Sequence, residues 1–532
     1  MIDKEDRRWL FVTTLIFLVI TSLPYLLGYY RQGADWRFTG FILGVEDGNS
    51  YIAKMLSGTY GSWLFRSPYT AIPQQGTFAF FPYILIGKLA SNPEVHDQLV
   101  VIYQIFRWLS GGLLAFAVLQ FSNLFIYERK FRRIATVLIL LGGGIGWLGW
   151  LAFPSNWTGR LPLEVYSPEA FGFLSLLGLP HLAMARALLL LGFVAFLKEA
   201  EGKNSFRSAI NGGVFWLAAG FFQPLTIVVG YGILGFYFLL QVFLYPLKGW
   251  RERLPLFKKF VIMALIPSPW VFYNYISFAS DPYLKIWYAQ NIISSPPLQD
   301  YVWSYGLFFI AAIPAIIRIF MEKKRVDMLL VAWLVCAASL AYFPYNLQRR
   351  FIEGVWIALI ILVVSGYEYF AKEKFAFIFR TVLTISTIAP ILVMMIVFQG
   401  TWLVSVPIYR PTAEIAMFEV VNKVTKPGDV ALASYETGNV FPAWAPVHVL
   451  AGHGPESAYL IDIRPEISAF FSGAKDMEWQ KEMLSRFAVQ YIISGPPERA
   501  LGNWEAVYGS KFILIYQQQE YKIYKVEDLD GK

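Results

Sequence analysis

Long apolar runs separated by short basic loops make up most of this chain, and that alternation leaves few folds open. Runs of about 20 apolar residues match the hydrocarbon thickness of a bilayer, where only helices and closed barrels satisfy the backbone. They fall at about 9–29, 99–126, 134–153, 180–197, 209–222, 224–246, 259–279, 301–320, 327–344, 350–370 and 376–400, or about 11 spans. Only 15% of the 532 residues are charged and 56% are hydrophobic, whereas soluble domains carry about a quarter charged residues. A polytopic α-helical membrane protein in contact with membrane lipids is expected. The lone Cys336 lies in an apolar run, so no disulfide framework can form.

Charge sets the orientation. The clusters Glu128–Arg133, Lys198–Arg207, Lys248–Lys259, Met321–Arg325 and Lys372–Lys374 all fall on the side of the N-terminus if the segment 77–91 does not cross. Under the positive-inside rule that side is the cytoplasm. The net charge of +8 thus sits in topology-setting loops and gives no ground for a nucleic-acid partner. The segment 77–91, with Pro82 and Lys88, is expected to lie flat on the outer surface. The N-terminal run is too long for a cleaved signal and lacks a small-residue cleavage site, so it reads as a retained anchor.

From about Ser405 the composition changes. β-rich runs at Val430–Ser434, His448–Ala451, Val489–Ser494, Phe512–Tyr516 and Tyr521–Val526 alternate with amphipathic stretches at Thr412–Thr425 and Met477–Phe487. Two domains are expected: a membrane domain over 1–404, with a first outer loop at 31–98, and an extracytoplasmic α/β domain over 405–532.

The informative polar residues gather on the expected outer side. Glu46 and Asp47 follow the first span, and adjacent carboxylates at a membrane boundary are costly unless hydrated, paired or used in chemistry. Asp47, Tyr51 and Met55 are four apart and share a face if the stretch is helical. Asp47 also suits the N-cap of a helix from Gly48 to about Ser57, a role compatible with facing a cleft.

Arg349 and Arg350 follow Tyr345 at the outer end of the tenth span, where basic residues are disfavoured. Guanidinium forks bind phosphate bidentately, so a lipid-linked phosphate is a natural partner. Headgroup anchoring, or an ion pair of Arg349 with Glu353, is the alternative. His181 and Arg186 open one span and Arg107 lies in another. Each alone suits hydrogen bonding between helices. Together with Lys54 and Arg66 they would line a cationic cavity facing the acidic pair.

Other signals are weaker. Asn156–Thr158 is a glycosylation triplet that recurs by chance. Gly142–Gly146 lies in a span with no preceding strand, which favours helix packing over phosphate binding. Four histidines and one cysteine make no zinc set. His448 and His453 flank a predicted strand and read as structural, and Ser434–Asn439 reads as a turn, with a ligand loop as the alternative.

The order of an acidic residue after the first span, a Tyr four residues on, Gly61-Ser62-Trp63, and an aromatic interfacial helix resembles the first outer loop of GT-C superfamily glycosyltransferases. The resemblance is strongest to the protein O-mannosyltransferase and lipid A aminoarabinose transferase type. Asp47, Tyr51, Trp63-Leu64 and Phe78–Ile86 occupy the corresponding places, and Arg107 resembles the Arg that begins their second span. The sequence departs in having Gly48 where Glu is common and in lacking a Lys-Pro-Pro element. Asp47–Met55, Pro344–Gly354 and Thr437–Ala443 are also similar to segments of bacterial membrane proteins, a likeness that implies no activity.

The resemblance implies an enzyme of a cytoplasmic (inner) membrane, N-terminus inside and C-terminal domain outside. It would move a sugar from a polyprenyl-phosphate donor to a lipid, glycan or protein acceptor. Asp47 would be the general base with Glu46 in support, and Arg349, Arg350, Arg107, Arg186 and Lys54 would hold the phosphate. Tyr51, Arg66, His181, Tyr345 and Glu353 are further cavity candidates. Glu46 and Asp47 would carry a divalent cation, Mg2+ or Mn2+, if the reaction uses one. A lipid or glycan transporter, a polysaccharide polymerase or ligase, and a non-catalytic scaffold are the rival readings.

Overall fold

The computed structural model describes residues 3–157, 159–198, 205–244, 250–370, 376–506 and 511–527. The protein is helical, and its contacts divide it into two compact units. One comprises Met1–Leu23, Phe106–Tyr275 and Ile293–Ile396, and the other Pro24–Ile105, Ile276–Ile292 and Val397–Lys532. The basic clusters at Lys198–Arg207, Lys248–Lys259 and Lys372–Lys374, and Thr158 of the glycosylation triplet, lie partly or wholly outside the described residues.

Among the described residues, 7 helices are long and apolar enough to cross a membrane, or 9 if each bent pair is one span. The bends are 52° between Arg129–Leu141 and Gly146–Ala152, and 46° between Leu254–Leu265 and Ser268–Ser280. The expected spans at 209–222 and 327–344 are helical as well, as Ser205–Phe222 and Met328–Leu340. Neither is among the helices that meet the length and hydropathy requirements. Segment 77–91 contains only the seven-residue helix Phe81–Gly87, about 10 Å long at 1.5 Å per residue and far short of a span.

The first unit is held by aromatic side chains whose polar ends are satisfied by backbone. Trp356 donates Nε1–H to Leu138 O at 2.9 Å, and Trp333 donates to Glu353 O at 2.9 Å. The glycines at 142–146 serve close packing. A Cβ at Gly143 would sit 2.6 Å from Ala389, and one at Gly144 would sit 2.4 Å from Ser304 O. At the N-terminus of Gly146–Ala152 the buried Glu164 accepts from Trp147 N at 2.7 Å and Ser304 Oγ at 3.0 Å. The helix end is thus neutralised from within the protein.

The second unit contains a five-stranded sheet. Val430–Leu432 lies between His448–Val449 and Val489–Ser494, parallel to both. Tyr521–Val526 then pairs antiparallel with Val489–Ser494 and with Phe512–Gln518. Thr412–Val424 and Met477–Arg486 form the expected helices, and Leu460–Phe471 adds another. A second, two-stranded sheet joins Trp36–Phe38 to Tyr409–Pro411, so residues far apart in sequence build one body.

The acidic stretch is a helix from Val45 to Thr59. Its N-cap is Gly44 in the left-handed region (φ 57), which favours glycine. Asp47 therefore sits in the first turn instead of at the cap. This helix lies against Phe81–Gly87 at backbone distance: a Cβ at Gly58 would meet Ile84 O at 2.0 Å, and one at Gly87 would meet Met55 O at 1.9 Å. Gly87→Ala is expected to cost about 1–3 kcal/mol of stability through overpacking. Thermal unfolding in detergent measures it, and an unchanged midpoint would contradict so close an approach.

Candidate active site

On the helix Val45–Thr59, Glu46, Ser50 and Lys54 follow one another at four-residue spacing, with Asp47 beside them. The chain after strand His448–Val449 brings His453-Gly454-Pro455-Glu456 against that face. Ser457 fixes this loop, accepting from Gly452 N (3.0 Å) and His453 N (3.1 Å) and donating to His453 O (2.8 Å). The helix Pro282–Gln290 clamps it from another direction. Gln290 donates to Ser457 O at 2.9 Å and accepts from Leu460 N at 3.1 Å, while Tyr283 OH donates to Glu456 O at 3.1 Å.

The result is a row of alternating charge. Asp47 Oδ1 lies 3.1 Å from His453 Nε2, and His453 Nδ1 lies 3.8 Å from Glu456 Oε1. Glu456 Oε1 in turn accepts from Lys54 Nζ at 2.6 Å and Ser50 Oγ at 2.9 Å. Side-chain exposure falls along the row, from 55% at Asp47 to 9% at His453, 5% at Glu456 and 1% at Lys54. Only Asp47 reaches solvent substantially.

Electrostatics follow from this arrangement. Burial alone would lower the pKa of His453, but Glu456 and the hydrogen bond to Asp47 outweigh it and hold the imidazole above its usual value. Burial would raise Glu456, and Lys54 and His453 overcome it, holding the carboxyl below its usual range. Both shifts act towards the charged forms of the two groups.

Glu46 is held by the same loop, accepting from Gly454 N at 2.9 Å and from Tyr435 OH. Asn439 ties the helices together: it accepts from Asn49 Nδ2 (2.8 Å), donates to Glu46 O (3.3 Å), and its carbonyl accepts from Tyr69 OH (3.1 Å). Asn439 belongs to the stretch Ser434–Asn439, which the structure shows as the start of helix Tyr435–Val440 with Ser434 as its N-cap. Tyr51 stacks on Tyr83 at 4.8 Å and Tyr103 at 6.1 Å, forming an aromatic wall. Arg66 is exposed and reaches Gln74 O at 3.4 Å.

The remaining cationic candidates lie in the helical unit. Arg186 is buried, with Nε 2.5 Å from Glu353 Oε1 and Nη2 donating to Pro168 O at 2.7 Å. Glu353 thus pairs with Arg186, whereas Arg349 and Arg350 share Glu169, with Nε atoms 3.7 and 3.6 Å from its two oxygens. Two guanidiniums around one carboxylate leave an excess positive charge. Both are partly exposed, and Arg349 lies over the Tyr166 ring at 4.9 Å. Arg107 is buried and donates to Thr21 Oγ1 (3.1 Å), Ser22 Oγ (2.6 Å) and Leu176 O (3.3 Å). His181 is half-buried in the first turn of Pro180–Lys198, and Tyr345 is half-buried with its ring 5.6 Å from Phe351.

Lys54 differs most from its sequence reading: the structure buries it against Glu456. His453, Glu456, Ser50 and Glu169 were not singled out for chemistry by sequence. One usable signal existed, a lysine inside the apolar run Ile52–Leu56 that needs an anion to compensate burial. Among the described residues no group of three or more His, Cys, Asp and Glu side chains is arranged to hold a metal ion. Glu46 Oε1 accepts from Gly454 N and Tyr435 OH.

No protein-family model matches the chain, and no curated protein matches it. Solved structures do. The oligosaccharyltransferase AglB from Archaeoglobus fulgidus, in complex with an inhibitory peptide and a dolichol-phosphate, superposes with a TM-score of 0.57 at 12% identity. That match covers 92% of this chain and 70% of AglB. An Archaeoglobus fulgidus oligosaccharyltransferase tethered to an acceptor peptide gives 0.53 at 13% identity, covering 92% of this chain and 69% of that one. ArnT from Cupriavidus metallidurans in the apo state gives 0.53 at 10% identity, covering 97% of this chain and 98% of ArnT. At such identities the likeness is one of fold.

Proposed function

We propose that this multi-pass membrane protein, whose fold is that of the GT-C glycosyltransferases, transfers a sugar from a polyprenyl-phosphate donor to an acceptor outside the cytoplasmic membrane. Asp47 is its general base. The observation that carries the reading is the Asp47 carboxylate, more than half exposed and anchored through one oxygen to the buried His453.

In the proposed reaction Asp47 takes the proton from the acceptor hydroxyl or amine, within hydrogen-bond reach. The acceptor oxygen or nitrogen forms a bond to the sugar's anomeric carbon. The bond from that carbon to the phosphate oxygen breaks, and polyprenyl phosphate leaves with the electron pair. Arg349 and Arg350, incompletely neutralised by Glu169, are assigned to the phosphate through charge-assisted hydrogen bonds. Arg107 and Arg186 are assigned to structural hydrogen bonding because their guanidiniums are buried and bonded within the protein. The proposed orientation puts the N-terminus in the cytoplasm and residues 31–98 and 405–532 outside, following the basic loops. The dolichol-phosphate in the AglB complex supports a polyprenyl-phosphate donor, and its peptide ligands are consistent with a protein among the acceptor classes.

The test is a transfer assay on purified protein in lipid vesicles with a panel of radiolabelled polyprenyl-phosphate sugars. Covalent label on an acceptor is the expected result. Label that crosses the bilayer without covalent transfer would establish a transporter. Absence of donor binding across the panel would support the scaffold reading.

A further inference from the structure

We infer that His453, supplied by the C-terminal segment, is the positioning residue for Asp47, with Glu456, Lys54 and Ser50 fixing the imidazole in place. This rests on the reading of Asp47 as the base and deepens it. A base must meet its proton donor in one geometry. His453 Nε2 holds Asp47 Oδ1 at 3.1 Å.

The ring itself has little room to move. Glu456 stands behind Nδ1 at 3.8 Å, Tyr69 lies with its ring centroid 5.4 Å away, and Ser457 bonds the backbone of residue 453 on two sides. Glu456 is pinned by Lys54 and Ser50, both buried, and its backbone carbonyl by Tyr283. A histidine that merely filled space would need none of this. Two buried carboxylate–cation contacts in series carry a desolvation cost, yet they end on the one member of the row that faces solvent. The imidazole is thus held by its contact with Asp47 and by the surrounding backbone. His453 moves no proton in the step; it keeps Asp47 aimed.

His453→Ala is expected to lower kcat about 10²-fold, the scale of a misplaced catalytic group, with KM for donor and acceptor unchanged. His453→Gln, whose amide can donate to Asp47, should recover to within about tenfold of the wild type. An activity-free readout accompanies these: carbodiimide labelling of Asp47, followed by mass spectrometry. Labelling should rise in His453→Ala and return towards wild type in His453→Gln. Unchanged labelling in a folded His453→Ala protein would overturn the inference whether or not transfer is seen. Raised labelling with no transfer by the wild type would defeat the general-base reading alone. Should His453→Ala fail to fold, Glu456→Gln carries the same readouts: a loss of kcat with raised labelling supports the inference, and no change in either overturns it.

Discussion

Asp47→Asn is expected to lower the transfer rate about 10²–10⁴-fold, the range attributed to a positioned general base, while donor affinity stays the same. The substitution preserves shape and removes the carboxylate's charge and its capacity to take up a proton. Asp47 is 55% exposed, and the Lys54–Glu456 pair behind His453 is untouched, so folding should change little. Transfer and donor binding measured side by side on the folded variant give the separation. Wild-type activity in folded Asp47→Asn would remove Asp47 from the mechanism.

The second large effect is on stability. Lys54→Met should destabilise the protein by about 3–5 kcal/mol, because it leaves a buried carboxylate without its cation. Lys54 and Glu456 are 1% and 5% exposed, so little water is present to compensate. Burial is the largest influence on Glu456 and acts to raise its pKa, and Lys54 is the largest of those opposing it. With Lys54 gone the carboxyl should rise and take up a proton more readily. The sign in the wild type follows from its lowered value. Its contribution to stability is present above the unfolded carboxyl pKa of about 4.3 and is lost as pH falls through the folded value. Chemical denaturation near neutral pH measures the effect. Lys54→Met combined with Glu456→Leu should regain much of the stability and still transfer poorly, because His453 has lost its anchor. A double variant as unstable as Lys54→Met would refute the uncompensated charge as the cause.

Several features were legible in the chain because they depend on local pattern. The strands around Val430, His448, Val489, Phe512 and Tyr521 follow from β-rich runs, and the helices Thr412–Val424 and Met477–Arg486 from amphipathic spacing. The apolar runs gave a multi-pass membrane protein, since their length relative to a bilayer is a one-dimensional property. The start of the helix at Val45 carries no side-chain signal, because Gly44 caps it through backbone conformation. His453 was read as structural for a different reason. It sits in a Gly- and Pro-flanked loop without periodicity, and its meaning arises from a partner 406 residues away. Lys54 was assigned to phosphate because a sequence shows its charge but not the Glu456 that compensates it. The pairing of Glu353 with Arg186, 167 residues away, replaced a local pairing with Arg349 for the same reason.

The second unit gathers residues 24–105, 276–292 and 397–532, and this dictates an order of events during biosynthesis. Asp47 is made 406 residues before His453, about 20–80 s earlier at ~5–20 residues per second. Among the described residues, every helix after the first that is long and apolar enough to cross a membrane, from Val95–Ser122 to Arg380–Trp402, is made in that interval, while the Asp47 carboxylate has no histidine and Lys54 no glutamate. Synthesis of those helices therefore precedes formation of the Asp47–His453 and Lys54–Glu456 contacts. A nascent chain interrupted before residue 453 would carry all of these helices and lack His453 and Glu456.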